Sequence, residues 1–99
     1  MGAVKWTALA LENVNDIAEY IAKDSQRYAS AQVERFFERT QILEDFPNSG
    51  RIVPELEDEK IRELICGSFR IIYRIVSDKQ IDIVTVHHTK RILSNNLLL

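Results

Sequence analysis

Cysteine, proline and glycine are scarce in this chain of 99 residues, which contains one, two and three of them respectively. The single Cys66 cannot form an intramolecular disulfide, so the fold should not depend on oxidation. No apolar run approaches the roughly 18 residues that a membrane-spanning helix needs. The N-terminal residues MGAVKW lack the apolar core of a signal peptide. We therefore expect a cytoplasmic protein without a disulfide framework, a metal site or any other cofactor.

The composition is otherwise that of an ordinary soluble domain, with 45% hydrophobic and 28% charged residues. The length suits one independently folding unit, so residues 1–99 are predicted to form a single domain. The formal net charge of −2 hides an asymmetry, because residues 1–59 are strongly acidic whereas residues 60–99 carry a surplus of lysine and arginine. Either the C-terminal part meets an anionic partner, or the two halves attract each other. The overall acidity argues against strong non-specific nucleic-acid binding.

The first half of the chain is predicted to contain one strand and two helices. Val4–Thr7 is a short run of strand-forming residues. Apolar residues at spacings of three and four then predict one amphipathic helix over 9–23 and a second over 26–45. Ser25 supplies a new N-cap between them, and Pro47 cannot continue the second. The pattern indicates a strand followed by an antiparallel helical hairpin.

The second half changes to the period of two that is typical of β-strands. Three β-rich runs, at residues 61–66, 69–76 and 80–87, follow a charged loop and are separated by hairpin-length connections. The predicted fold is α+β, with a short N-terminal strand, an antiparallel helical hairpin and a twisted antiparallel β-sheet of three further strands.

The side chains of the last hairpin predict its register. Pairing Val76 with Gln80 gives one nearly apolar face, which the helices should cover, and one more polar outer face. The apolar face then pairs Ile75 with Ile81, Tyr73 with Ile83, Ile71 with Thr85 and Phe69 with His87. The outer face pairs Arg74 with Asp82, an opposite-charge pair that supports this register. It also carries Arg70 and His88, and Arg62 of the preceding strand is expected to join them.

Six short motifs occur in an order that matches a known group of proteins. They are VKWT (4–7), FPNSGR (46–51), VPEL (53–56), IREL (61–64), FRIIYRI (69–75) and VHHTKRIL (86–93), and a helical segment with DI (16–17) and YIA (20–22) lies between the first two. No single motif is specific, but the ordered set, which covers nearly the whole chain, resembles the RelE/ParE toxin superfamily. This resemblance implies the toxin of a bacterial type II toxin–antitoxin system, neutralised in a hetero-oligomer by a cognate antitoxin protein.

Two mechanisms divide this superfamily. RelE-like members cleave mRNA on the ribosome without a metal ion, and ParE-like members inhibit DNA gyrase and so block replication. Metal-free RNA cleavage needs a base, an acid and cations at the phosphate. Here residues 94–99 contain no titratable side chain, Glu63 stands where the RelE-like branch often has a lysine, and the chain is acidic overall. The resemblance is closest to ParE-like toxins, which favours a gyrase inhibitor over an enzyme.

Two alternatives to gyrase inhibition stay open. One is a RelE-like, ribosome-dependent mRNA endonuclease, in which Arg70, His88 and Arg91 would assist phosphate transfer. The other is a non-toxic family member that only binds its antitoxin, for example as an operon corepressor.

The candidate site residues are basic side chains and a leucine-rich C-terminal segment. The residues expected to bind the target are Arg62, Arg70, Arg74 and Arg91. Because three leucines exposed to water are unfavourable, Leu97, Leu98 and Leu99 are expected to contact the antitoxin. They could instead fold back onto the sheet or join a second toxin copy. No set of metal ligands is expected.

Overall fold

The computed structural model describes residues 2–90, and its elements confirm the predicted α+β class. In chain order they are β1 (Ala3–Trp6), α1 (Ala8–Ala22), α2 (Gln26–Thr40), a 3₁₀ helix (Gln41–Glu44), β2 (Arg51–Ile52), β3 (Ile61–Cys66), β4 (Phe69–Ser77) and β5 (Gln80–His88). Within residues 2–90, no helix is long and apolar enough to cross a membrane.

Hydroxyl side chains begin both helices. The Thr7 hydroxyl accepts the Ala10 N–H at 3.2 Å and donates to the Ile83 carbonyl at 2.7 Å, so Thr7 caps α1 and ties it to β5. The first strand therefore ends one residue earlier than predicted. Ser25 accepts the Tyr28 N–H at 3.1 Å, which confirms the predicted N-cap of α2.

The second helix is shorter than predicted. It ends at Thr40 rather than at residue 45, and the chain tightens into the 3₁₀ helix before Pro47. Apolar spacing alone does not distinguish the two kinds of helix over a single turn, which is why the predicted range covered both.

The sheet has five strands in the order β1-β5-β4-β3-β2. All neighbouring strands are antiparallel except β1 and β5, which pair in parallel. Four strands thus accompany β1 where three were predicted, because Arg51 and Ile52 form the short β2 against β3.

A β-bulge changes the register of the β4–β5 hairpin. The predicted pairs from Ile75–Ile81 to Tyr73–Ile83 are confirmed, but the next pair is Ile72–Thr85, so Val84 has no partner on β4. Beyond this point the predicted register is wrong by one residue. The pairs there are Ile71–Val86, Arg70–His87 and Phe69–His88. At the turn, Ser77 rather than Val76 lies opposite Gln80.

The two helices cover one face of the sheet, as predicted. The fully buried residues of this main core include Phe36 and Leu43 from the helical half, and Ile71, Tyr73 and Ile83 from the sheet. A smaller apolar cluster lies on the other face. It consists of Val53, Ile61 and Ile72, with Leu56 and Val84 packed against them. Residues 53–56 therefore cover part of the outer face, which the sequence pattern alone left open.

Asn13 of α1 hydrogen-bonds the edge of β5 beyond Ile83, where its pairing with β1 ends. Its Oδ1 atom accepts the Val86 N–H at 3.0 Å and the Thr85 hydroxyl at 2.6 Å. Because an unpaired buried N–H is unfavourable, this side chain stands in for the missing strand. It ties the C-terminal half of β5 to α1.

Candidate functional site

The outer face of the sheet contains a chain of four charged residues, Arg51, Glu63, Arg70 and Glu55, which we call the Arg70 network. Arg70 donates from Nε to Glu63 Oε1 at 2.6 Å, and from its two terminal nitrogens to both Glu55 oxygens at 2.7 and 2.8 Å. Arg51 donates from Nε to the second oxygen of Glu63. The Glu63 side chain is 0% exposed and that of Arg70 is 5% exposed. The centre of the network is thus a desolvated, paired Arg70–Glu63 couple, whereas the Arg51 side chain is 63% exposed.

The Arg70 network fixes the loop that follows β2. The hydrogen bonds to Glu55, reinforced by Glu63, hold the pKa of the Arg70 guanidinium above its ordinary value despite burial. Because Glu55 follows Val53 and Pro54, its double hydrogen bond holds this segment over the sheet. Arg70 lies on the outer face, as expected, but its guanidinium is buried against two carboxylates and is not presented to a target there.

Arg62 and Arg74 lie in different surroundings. Arg74 is partly exposed opposite Asp82, which confirms the predicted cross-strand pair. Arg62 pairs with Tyr73, whose side chain belongs to the main core, so the expectation that Arg62 lies on the outer face is wrong. Its guanidinium donates instead to the carbonyls of Gly50 at 3.0 Å and Glu59 at 3.0 Å.

The bulge reverses the predicted faces of the two histidines. His87 lies opposite Arg70 on the outer face and is buried, with its Nε2 atom 2.9 Å from the Thr85 hydroxyl. His88 lies instead on the helix side, where its ring meets Phe69 edge-on at 5.9 Å between centroids. The prediction that His88 shares a face with Arg70 is therefore wrong. Arg91 and Leu97–Leu99 lie outside the described residues.

The turn that precedes β2 is held by the Tyr73 hydroxyl. This hydroxyl donates to the Pro47 carbonyl at 2.7 Å and accepts the Gly50 N–H at 2.9 Å. Tyr73 is fully buried, as predicted, and burial raises the pKa of its phenol above 10.0. Its hydroxyl is thus a neutral structural group within the core.

Replacing Tyr73 with phenylalanine is expected to lower the free energy of unfolding at pH 7 by about 1–2 kcal/mol, because both bonds are lost. The same change should flatten the alkaline decline in stability. Above pH 10 the unfolded chain releases the phenolic proton while the buried phenol keeps it, so the wild type loses up to about 1.4 kcal/mol per pH unit from this group. Urea unfolding at several pH values would measure both effects. Tyr28→Phe, at a residue that is 72% exposed, should change neither.

Among the surface depressions that border the helical hairpin, two are lined by several residues of α1. One lies between the helices and has small residues at its base, and we call it the α1–α2 cleft. Its lining residues are Asn15, Ala18, Glu19, Ala22, Gln26, Ala29, Ser30 and Val33. The other, the α1–β4 groove, lies between α1 and the start of β4 and has a volume of about 470 Å³. It is lined by Asp16, Ile17, Tyr20, Ile21, Ser68, Phe69 and His88.

The sequence reasoning missed the acidic partners of Arg70. A signal for Glu63 was present, because the two-residue Gly67-Ser68 turn sets Ile65 opposite Arg70 and thus places Glu63 diagonally across from it. Gly67 adopts a φ of 61°, as such turns require. Glu55 gave no such signal, since it lies in a loop outside any strand register.

Solved structures and sequence relatives show to which class of protein this fold belongs. A structure described as "Chromosomal ParDE TA system from P. aeruginosa" superposes with a TM-score of 0.74 at 25% identity, covering 91% of this chain and 98% of that one. A protein of Sinorhizobium fredii (strain NBRC 101917 / NGR234) named "Putative toxin Y4kP" is 33% identical over 87 residues, which are 86% of this chain and 85% of the relative. The class is thus that of the toxins of toxin–antitoxin systems.

The family within that class follows from a match along nearly the whole chain. Residues 4–93 match the family described as "ParE toxin of type II toxin-antitoxin system, parDE". The chain therefore belongs to the ParE toxin family and is a ParE-like toxin of a ParDE toxin–antitoxin system. The resemblance inferred from the ordered motifs is confirmed.

Proposed function

We propose that this toxin inhibits DNA gyrase, blocks replication in the cytoplasm, and is neutralised by a cognate antitoxin. Besides membership of the ParE family, the observation that supports this choice is the engagement of Arg70 by Glu55 and Glu63. A nuclease needs its cations to meet a phosphate, and the guanidinium of Arg70 is already engaged by two carboxylates, of which Glu63 is fully buried and Glu55 is 23% exposed.

Two further groups that could act as an acid or a base, His88 and Tyr73, do not converge with Arg70 within residues 2–90. His88 lies on the helix side of the sheet, opposite to the face that carries Arg70. The Tyr73 hydroxyl is buried and already bonded to Pro47 and Gly50. General acid–base chemistry requires these groups within hydrogen-bond reach of a single substrate. The arrangement therefore favours an inhibitor that acts by binding.

The candidate target contacts consequently narrow to Arg74 and Arg91. Arg74 is partly exposed on the outer face, and Arg91 follows directly after the described residues. We assign a structural role to Arg62 and Arg70, because their guanidinium groups hold the loops that flank β2 in place.

Pulse labelling after induced expression in a bacterium tests the mechanism. For a gyrase inhibitor, thymidine incorporation should fall first, with filamentation, while methionine incorporation continues. The purified toxin should then inhibit DNA supercoiling by gyrase. Early collapse of methionine incorporation would instead establish the ribosome as target. If neither label changes, the non-toxic corepressor alternative is favoured. Arg91→Ala should abolish toxicity while leaving antitoxin binding intact.

The α1–α2 cleft is the proposed seat of an antitoxin helix. Its base of Ala18, Ala22 and Ala29 lets another backbone approach closely, and Val33 adds apolar surface. The exposed ring of Tyr28 is available at the end of the hairpin. Such aromatic side chains are typical anchors of protein interfaces.

Removing the residues after Ser94 is expected to weaken antitoxin binding by about tenfold, or to reduce solubility. The reason is that Leu97, Leu98 and Leu99 could then no longer contact the antitoxin or cover apolar surface of the toxin. Isothermal titration with the antitoxin, together with light scattering of the free toxin, would measure this. Leu97→Ser, Leu98→Ser and Leu99→Ser combined in the full chain provide the matched control for length. Unchanged affinity and unchanged monodispersity in both variants would contradict the expectation.

A further inference from the structure

The α1–β4 groove is an apolar depression whose aromatic wall is exposed. Ile17, Tyr20 and Ile21 form its helical side, and Phe69 forms its strand side. Tyr20 is 73% exposed, so nothing among residues 2–90 buries its ring. Apolar surface that is contiguous with the core and open to water is typical of an interaction site.

The polypeptide leaves the sheet at the rim of this groove. The Thr89 N–H donates to the Ser68 carbonyl at 2.8 Å, and Ser68 and His88 both line the groove. The Lys90 N–H then donates to His88 Nδ1 at 3.2 Å. The described part of the chain consequently ends, at Lys90, beside the groove.

The residues that follow have a composition that matches the groove. Among residues 91–99, five are aliphatic: Ile92, Leu93, Leu97, Leu98 and Leu99. The only charged one is Arg91, and the only acidic residue on the groove wall is Asp16. Nine residues span up to about 30 Å when extended, whereas Asp16 to Ile21 covers only about 8 Å of helix. The segment is therefore long enough to turn back along α1.

We propose that residues 91–99 of the free toxin fold back onto the α1–β4 groove and place Leu97, Leu98 and Leu99 against Tyr20, Ile21 and Phe69. A tethered segment has an effective concentration in about the millimolar range, which favours it over a separate molecule. A second copy would need roughly 800 Å² of contact on each partner, more surface than a groove of this size offers. Docking is proposed for the isolated toxin and does not depend on gyrase or the antitoxin.

Disulfide trapping in the full chain tests the proposal. In a Cys66→Ala background, Tyr20→Cys combined with Leu98→Cys should form an intrachain disulfide at least tenfold faster than Val76→Cys combined with Leu98→Cys. Val76 is exposed but lies at the far end of the hairpin, about 26 Å along β5 from His88. Equal rates for the two pairs would overturn the proposal, and so would disulfide-linked dimers as the main product, which would identify a second copy as the occupant.

A dye-binding measurement needs no new cysteines. Its fluorescence should change in opposite directions depending on whether the leucines cover the groove or are exposed to solvent. If the leucines cover the groove, changing Leu97, Leu98 and Leu99 together to serine opens it, and fluorescence of bound anilinonaphthalene sulfonate should rise at least threefold. If the leucines are exposed to solvent, the same change removes dye-binding surface and the signal should fall or stay constant. The latter result would overturn the proposal. Circular dichroism would establish that the variant is folded.

Discussion

Replacing Arg70 with leucine is expected to lower the free energy of unfolding by about 3–5 kcal/mol, because it leaves Glu63 and Glu55 without their shared guanidinium. Glu63 has no access to water, so its carboxylate cannot recover hydration in the folded state. Domains of this size are stabilised by only about 5–15 kcal/mol, so the variant should be marginally folded. Urea unfolding followed by Trp6 fluorescence and by circular dichroism would measure the loss.

A matched control lies four residues away on the same strand. Arg74→Leu removes an arginine that is partly exposed, and is expected to cost at most about 1 kcal/mol. Arg70→Lys keeps the charge but not the planar guanidinium that binds Glu55 through two nitrogens. Its loss in free energy of unfolding should therefore lie between those of Arg70→Leu and Arg74→Leu. If Arg70→Leu were no more destabilising than Arg74→Leu, the Arg70 network would contribute nothing measurable to the fold.

This instability also affects how toxicity assays are interpreted. Loss of toxicity in Arg70→Leu would follow from unfolding alone, and would not identify Arg70 as a target contact. Removing both buried charges with Glu63→Leu and Arg70→Leu together should recover part of the stability, since the single variant leaves the buried Glu63 carboxylate held only by Arg51. A folded and toxic double variant would show that Arg70 acts only through the structure.

The parts of the fold that were predictable are those with a local pattern. Spacings of three and four gave both helices, and the hydroxyl of Ser25 marked the start of the second. The alternation along β4 placed Tyr73 in the core and Arg74 opposite Asp82, because cross-strand neighbours depend on a few residues near a turn.

The histidines show what a local pattern cannot provide. The bulge at Val84 inserts one residue into β5, and Val84 is as good a strand residue as its neighbours, so no side chain marks it. A shift of one residue exchanges the two faces of everything that follows. His88 therefore moved from the predicted outer face to the α1–β4 groove, and His87 took its place beside Arg70.

The burial of Arg70 was unpredictable for a different reason. A strand pattern identifies the face on which a side chain lies, but not whether a loop covers that face. Here Val53 and Leu56 pack on Ile72, and Glu55 between them reaches Arg70. An exposed arginine and a buried one consequently have the same sequence signal at this position.

Replacing Gly50 with alanine is expected to lower the free energy of unfolding by about 3 kcal/mol, because a Cβ atom there has no space. It would lie 2.5 Å from the Glu63 carbonyl oxygen and 2.7 Å from the Tyr73 hydroxyl. The carbonyl belongs to β3 and cannot rotate away, so the turn must move and its hydrogen bond to Tyr73 must lengthen. A shift in the urea midpoint, with an unchanged slope, would measure the effect.

Two further variants test whether the cost at Gly50 comes from the steric clash of the added Cβ atom or from replacing a glycine as such. A Cβ at Gly67 would have no atom within 4 Å, and its positive φ is one that asparagine tolerates, so Gly67→Asn should cost less than about 1 kcal/mol. Adding Tyr73→Phe to Gly50→Ala removes only one of the three close contacts, because phenylalanine keeps the ring carbon Cε1 at 2.7 Å and the Glu63 carbonyl stays in place. Rescue should therefore be partial. Complete rescue would place the whole conflict at the Tyr73 hydroxyl, and the proposed constraint from β3 would be wrong.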